Sequence, residues 1–83
     1  MQNDVQKIIE SKMPDAIYKM AKFATEDPKS FLKNQMTKRV AKKFIDYATY
    51  FIENGNYSED DKNMFRDAID LHKEYIALHY KRP

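Results

Sequence analysis

Apolar positions along the chain fall into runs of helical spacing, and the pattern restarts at three places. Val5, Ile8 and Ile9 form a short stripe behind Asn3 and Gln6, a pair that resembles a capping box, which predicts a marginal helix over about 3–12. Pro14 ends that helix and opens the next, because a first-turn residue has no use for the N–H that proline lacks. Met13, Ala16, Ile17, Met20 and Ala24 then lie three and four apart on one face, so a second short helix is expected over about 14–25.

The stretch "EDPKS" restarts the pattern, with Asp27 as N-cap and Pro28 in the first position. No further proline or glycine follows until Gly55, which predicts one unbroken helix over about 28–54, roughly 39 Å long at 1.5 Å per residue. Met36, Val40, Phe44, Tyr47, Ala48 and Phe51 form its central stripe, with Ala41, Ile45 and Ile52 on one shoulder. In "ENGNYSEDDK", Gly55 or Asn54 is expected in the left-handed closing conformation, and Ser58 is placed to cap a last helix over about 59–80. Glu59, Asp60 and Asp61 then sit where the helix dipole favours carboxylates.

Two long helices joined by so short a turn must pack antiparallel. The expected architecture is therefore all-α: a small helical bundle built on a long helical hairpin (about 28–54 and 59–80), with two short N-terminal helices (about 3–12 and 14–25) covering one side. No repeat, low-complexity run or linker-like stretch divides it, and residues 1–83 read as a single domain.

The last helix carries more apolar surface than one neighbour needs. At 100° per residue, Leu78, Leu71, Met64, Tyr75, Ala68, His79, His72, Phe65, Ile76, Ile69 and Tyr80 span an arc of roughly 200°. Phe65, Ala68, Ile69, His72 and Ile76 can face the long helix. Met64, Leu71 and Leu78, with Tyr75 beside them, are left as a second stripe for self-association, partly covered by Ile8, Ile9, Ile17 and Met20. Tyr18, Tyr50, Tyr57 and Tyr80 also fall outside the best core stripes, which fits a contact surface.

Composition narrows the chemistry. A single glycine excludes the phosphate-cradling GxxxxGK[ST] and GxGxxG loops. With no cysteine there is no disulfide, no thiol nucleophile and no cysteine-ligated zinc. No apolar run approaches the roughly 18 residues of a membrane span and the first residues lack a signal-peptide core, so a soluble cytoplasmic protein with no membrane partner is expected.

Charge is segregated under a net +2. Between Pro28 and Ile45 lie six basic residues and no acidic one, whereas Asp46–Glu74 holds eight acidic against three basic. Lys38, Arg39, Lys42 and Lys43 gather opposite the apolar stripe, with Tyr50 further along. This basic patch is a candidate surface for a partner protein or for nucleic acid. Folding the hairpin brings Lys43 toward Asp70 and Arg39 toward Glu74, so internal neutralisation in exposed pairs is the plainer expectation.

No catalytic residue is assigned. Ser11, Ser30 and Ser58 all have structural duties at helix ends, and the carboxylates of the last helix lie mostly on its polar side or first turn. No metal site or cofactor is assigned either, because His72 and His79, seven apart, stand roughly 10.5 Å from one another along the helix axis. The better role for the two histidines is in a core or contact surface, hydrogen-bonded to a tyrosine or carboxylate. There, burial would lower their pKa and make assembly pH-sensitive.

The function expected from these features is that of a small non-enzymatic helical interaction protein. It self-associates as a homo-oligomer and binds or modulates another protein, in the manner of an adaptor, immunity or inhibitor protein. A second reading is a nucleic-acid binder that uses the basic face of the long helix. A third is an oligomer that binds a small anion such as a nucleotide between subunits, with Tyr50 near Arg39 and Lys43.

Overall fold

The computed structural model describes residues 13–80, which form four helices: α1 Met13–Glu26, α2 Pro28–Lys33, α3 Lys38–Asn54 and α4 Glu59–Tyr80. Among the described residues there is no strand, and the fold is all-α. The helix expected over 3–12 lies outside the described residues. Pro14 and Asp15 occupy the first turn of α1, where a missing N–H is harmless and a carboxylate meets the positive end of the helix. The Asp27 amide closes α1 on the Phe23 carbonyl (3.1 Å), and the Asp27 side chain accepts the Ser30 amide at 3.3 Å to open α2.

The single helix expected over 28–54 is broken at residues 34–37, although no proline or glycine stands there. Asn34 turns out of the helix with φ −68° and ψ 160°, and its amide falls back on Phe31 at 3.1 Å. Thr37 then caps a new helix, its hydroxyl accepting the Val40 amide at 3.1 Å. Asn34 and Thr37 are weak helix formers whose side chains favour caps, so the local sequence permits the break without imposing it. Tertiary packing imposes it. Phe31 of α2 and Phe44 of α3 both lie against the His72 ring of α4, at centroid distances of 4.6 and 3.8 Å. That holds the two phenyl rings within less than half the roughly 19.5 Å that thirteen residues of continuous helix would span.

The turn between α3 and α4 also differs from expectation. Gly55 has φ −83° and ψ 163°, an extended conformation open to any residue, and no described residue has a positive φ. Glycine is required here for space. A Cβ at position 55 would lie 2.6 Å from the Phe51 carbonyl oxygen and 2.7 Å from the Tyr57 ring. Ser58 caps α4 as expected, its hydroxyl accepting the Asp61 amide at 3.1 Å.

Helices α3 and α4 run antiparallel, since Phe51 meets Phe65 (6.2 Å) while Phe44, earlier on α3, meets His72, later on α4. Ile17 and Ala21 of α1 complete this cluster with Ala48 and Ala68. A second cluster joins Ala24 of α1 and Phe31 of α2 to Tyr75 of α4. Ala21, Ala24, Ala41, Ala48 and Ala68 are wholly inaccessible, so the backbones approach closely and the aromatic rings fill the space between them. The wide apolar arc of α4 is thus used within the chain, because α1, α2 and α3 all pack on it.

Candidate functional site

The two histidines have separate duties. His72 is fully buried; its Nδ1–H donates to the Ala68 carbonyl at 2.8 Å, and its ring stacks on Phe44 at an interplanar angle of 9°. Its Nε2 is buried and has no partner among the described residues. Burial lowers the His72 pKa below its ordinary 6.5, and the Ala68 hydrogen bond offsets this only in part. The imidazole is therefore neutral in the core. His79 is exposed, stacks on Tyr75 at 4.1 Å and donates from Nε2 to the Leu32 carbonyl at 2.7 Å. Both histidines bond to backbone carbonyls, where a tyrosine or carboxylate partner was expected.

Tyr75 and its neighbours hold the broken helix. The Tyr75 hydroxyl donates to the Asn34 carbonyl at 2.5 Å and accepts the Met36 amide at 2.8 Å. The Tyr80 hydroxyl donates to the Met36 carbonyl at 2.5 Å. An open cleft of about 570 Å³ lies over this junction, lined by residues 33–37 together with Tyr75, His79 and Tyr80. Its most strongly placed polar groups are engaged with the chain's own backbone. The aromatic surplus noted in the sequence is likewise turned inward: Tyr57 packs edge-on to Phe65 at 5.2 Å, and Tyr18 does so at 6.2 Å.

Of the expected self-association stripe, Met64, Leu71 and Leu78 keep exposed area on α4, and Tyr75 does not. Tyr75 is 1% exposed and belongs to the core. Met64 and Leu71 are half-buried against separate core clusters, and Leu78 is 63% exposed. Tyr75 is covered because the break at 34–37 lets α2 lie on α4, with Phe31 against Tyr75 at 5.6 Å.

The basic residues do share a surface. Lys38, Arg39, Lys42 and Lys43 are all exposed in the first two turns of α3, and among the described residues none of them forms an ion pair. The expected neutralisation by Asp70 and Glu74 is therefore not made in this arrangement. Val40 lies within the run and is 45% exposed despite being apolar. It forms one wall of a groove of about 160 Å³ between α1 and α3, lined by Ile17, Met20, Val40, Lys43, Phe44 and Tyr47. Phe23, 41% exposed, lies one turn beyond Met20 on α1. Tyr50, half-buried, stands edge-on to Phe51 at 6.0 Å further along α3.

This groove is not legible in the sequence, since it needs α1 and α3 side by side. By spacing Val40 belongs to the central stripe of α3, yet it is exposed beside Lys43. The junction at Tyr75, His79 and Tyr80 was missed as well, because nothing local to residues 34–37 announces a break. Among the described residues no group of three or more His, Cys, Asp or Glu could hold a metal ion. No helix among them is long and apolar enough to cross a membrane. The fold and surface define the class as an all-helical bundle with a basic-rimmed apolar groove. The chain matches no known family model, curated protein or solved structure.

Proposed function

We propose that this chain is a non-enzymatic binding module that docks an acidic, amphipathic segment of another protein along the groove between α1 and α3. The observation that carries this reading is the exposed Val40 wall of an apolar groove, set within a basic run that has no acidic residue between Pro28 and Ile45. An apolar helix face presents anchors at i, i+3, i+4 and i+7, which suits such a groove. Carboxylates on the flanks of that helix would lie near Lys43 and Arg39, whose charge speeds encounter and selects against basic partners. The N-terminus of α3 adds its own positive potential to the same end.

Nucleic acid is the second reading, and the groove favours protein over it: a phosphate backbone gains nothing from Met20, Val40 and Tyr47, whereas an apolar helix face does. Binding of a fluorescent amphipathic helical peptide, with leucines on one face and glutamates on the other, separates the two. The peptide binds, a lysine-substituted version does not, and Val40→Asp abolishes binding. Duplex DNA that binds as well as the acidic peptide, and is indifferent to Val40→Asp, would replace this reading with the nucleic-acid one.

A further inference from the structure

We infer that residues 34–37 are a two-state hinge through which two copies of this chain exchange α1 and α2, giving a domain-swapped dimer. This inference is independent of the groove reading above. Its basis is one of the helical hydrogen bonds that the break at 34–37 leaves unmade. In a continuous helix the Met36 amide would donate to the Leu32 carbonyl. Here the two ends of that bond are held separately by α4: the Leu32 carbonyl by His79 Nε2–H at 2.7 Å, and the Met36 amide by the Tyr75 hydroxyl at 2.8 Å. The neighbouring carbonyls of Asn34 and Met36 are held by the Tyr75 and Tyr80 hydroxyls.

Straightening the hinge replaces these bonds by intrahelical ones, with no net loss of pairing for the backbone. Two arrangements that satisfy the same groups are what a bistable element requires. The sequence supports the straight form, for no glycine or proline stands between Pro28 and Gly55. A fused helix over 28–54 would gain the propagation that a six-residue α2 lacks.

Straightening also has a consequence for packing. Helices α1 and α2 move as one unit, because Asp27 caps both: its amide bonds Phe23 and its carbonyl accepts the Phe31 amide at 2.9 Å. Swinging that unit away from α3 and α4 uncovers Ile17, Ala21, Ala24 and Phe31 on one side, and Phe44, Phe65, His72 and Tyr75 on the other. An open monomer with both surfaces in water is untenable. A second copy carries both surfaces in complementary form, and reciprocal exchange re-covers them with the contacts of the closed chain.

Tyr75→Phe tests the hinge directly. It keeps the buried ring but removes the hydroxyl that holds Asn34 and Met36. Refolded at high protein concentration and sized by light scattering, it should show a dimer dissociation constant at least about tenfold below that of the wild type. In its dimer, the amides of residues 35–37 should be strongly protected from hydrogen exchange. Gln35→Pro is the counter-variant: Asn34, at φ −68° and ψ 160°, already has the backbone that precedes a proline, whereas a continuous helix cannot accommodate one at position 35. Tyr75→Phe combined with Gln35→Pro should return to monomer. Either of two results overturns the inference: Tyr75→Phe no more dimeric than wild type after refolding, or a dimer that survives Gln35→Pro or leaves residues 35–37 unprotected.

Discussion

The Met36 amide hydrogen is bound by the hydroxyl of Tyr75, 39 residues away, at 2.8 Å. Together with the packing of Phe31 and Phe44 on His72, that contact explains why a sequence with no helix-breaking residue between Pro28 and Gly55 folds as two helices. The broken backbone finds its partners on α4, and Phe31 gains a place against His72 and Tyr75. Tyr75→Phe should therefore cost roughly 1–3 kcal/mol at low protein concentration, since it strands a carbonyl and an amide together. Tyr80→Phe, which leaves the Met36 carbonyl with only the longer Tyr75 hydroxyl bond at 3.4 Å, should cost less. Urea unfolding of the two variants side by side checks both the sign and the order.

His72 makes stability depend on pH in a defined direction. Its pKa in the folded chain is lowered from 6.5 by burial, so the unfolded chain binds the proton more readily. Stability contributed by the neutral ring is intact above about pH 7 and declines as pH falls through 6.5 toward the folded-state value. His72→Leu removes the titrating group along with the unpartnered Nε2. Urea midpoints compared between pH 5 and pH 8 should drop for the wild type and change less for the variant. Equal slopes would assign the pH dependence to other groups.

Gly55→Ala should destabilise by about 1–3 kcal/mol through overpacking alone. The backbone dihedrals accept alanine, but the added methyl meets the Phe51 carbonyl oxygen and a Tyr57 ring held between Phe51 and Phe65. Gly55→Ala combined with Tyr57→Ala should leave part of that penalty in place, because the carbonyl cannot move aside. Thermal unfolding of the single and double variants measures it.

Two apolar residues, one in the core and one on the surface, should behave very differently. Phe44 is 1% exposed and stacks on His72, so Phe44→Ala should cost about 3–5 kcal/mol. Leu78 is 63% exposed, and Leu78→Ala should stay within about 0.5 kcal/mol. A large effect at Leu78 would show that another chain covers it.

Much of the helical pattern was legible in the sequence because the signals are local. Asp27 with Pro28, and Ser58, each punctuate the chain within one turn of their own position. The break at 34–37 was not legible, because its cause lies on Tyr75 and His72 rather than in "NQMT". The role of Gly55 was misread for a similar reason: its conformation is ordinary, and only the neighbouring Tyr57 ring makes a side chain intolerable. The basic face was legible as a face. Its association with an apolar groove was not, since periodicity on α3 cannot say which residues of α1 stand opposite Val40. The burial of Tyr75 was not legible either, because a wide apolar arc reads the same whether a second copy or a turn of the same chain covers it.

The proposal that this bundle works by docking an acidic amphipathic helix is tested most directly by an NMR titration of isotope-labelled protein with such a peptide. The largest shifts should fall on Met20, Val40, Lys43 and Tyr47, with smaller ones at Phe23 and Arg39 and none at Leu78. Shifts concentrated on residues 33–37 and Tyr80, or a spectrum unchanged up to millimolar peptide, would contradict it.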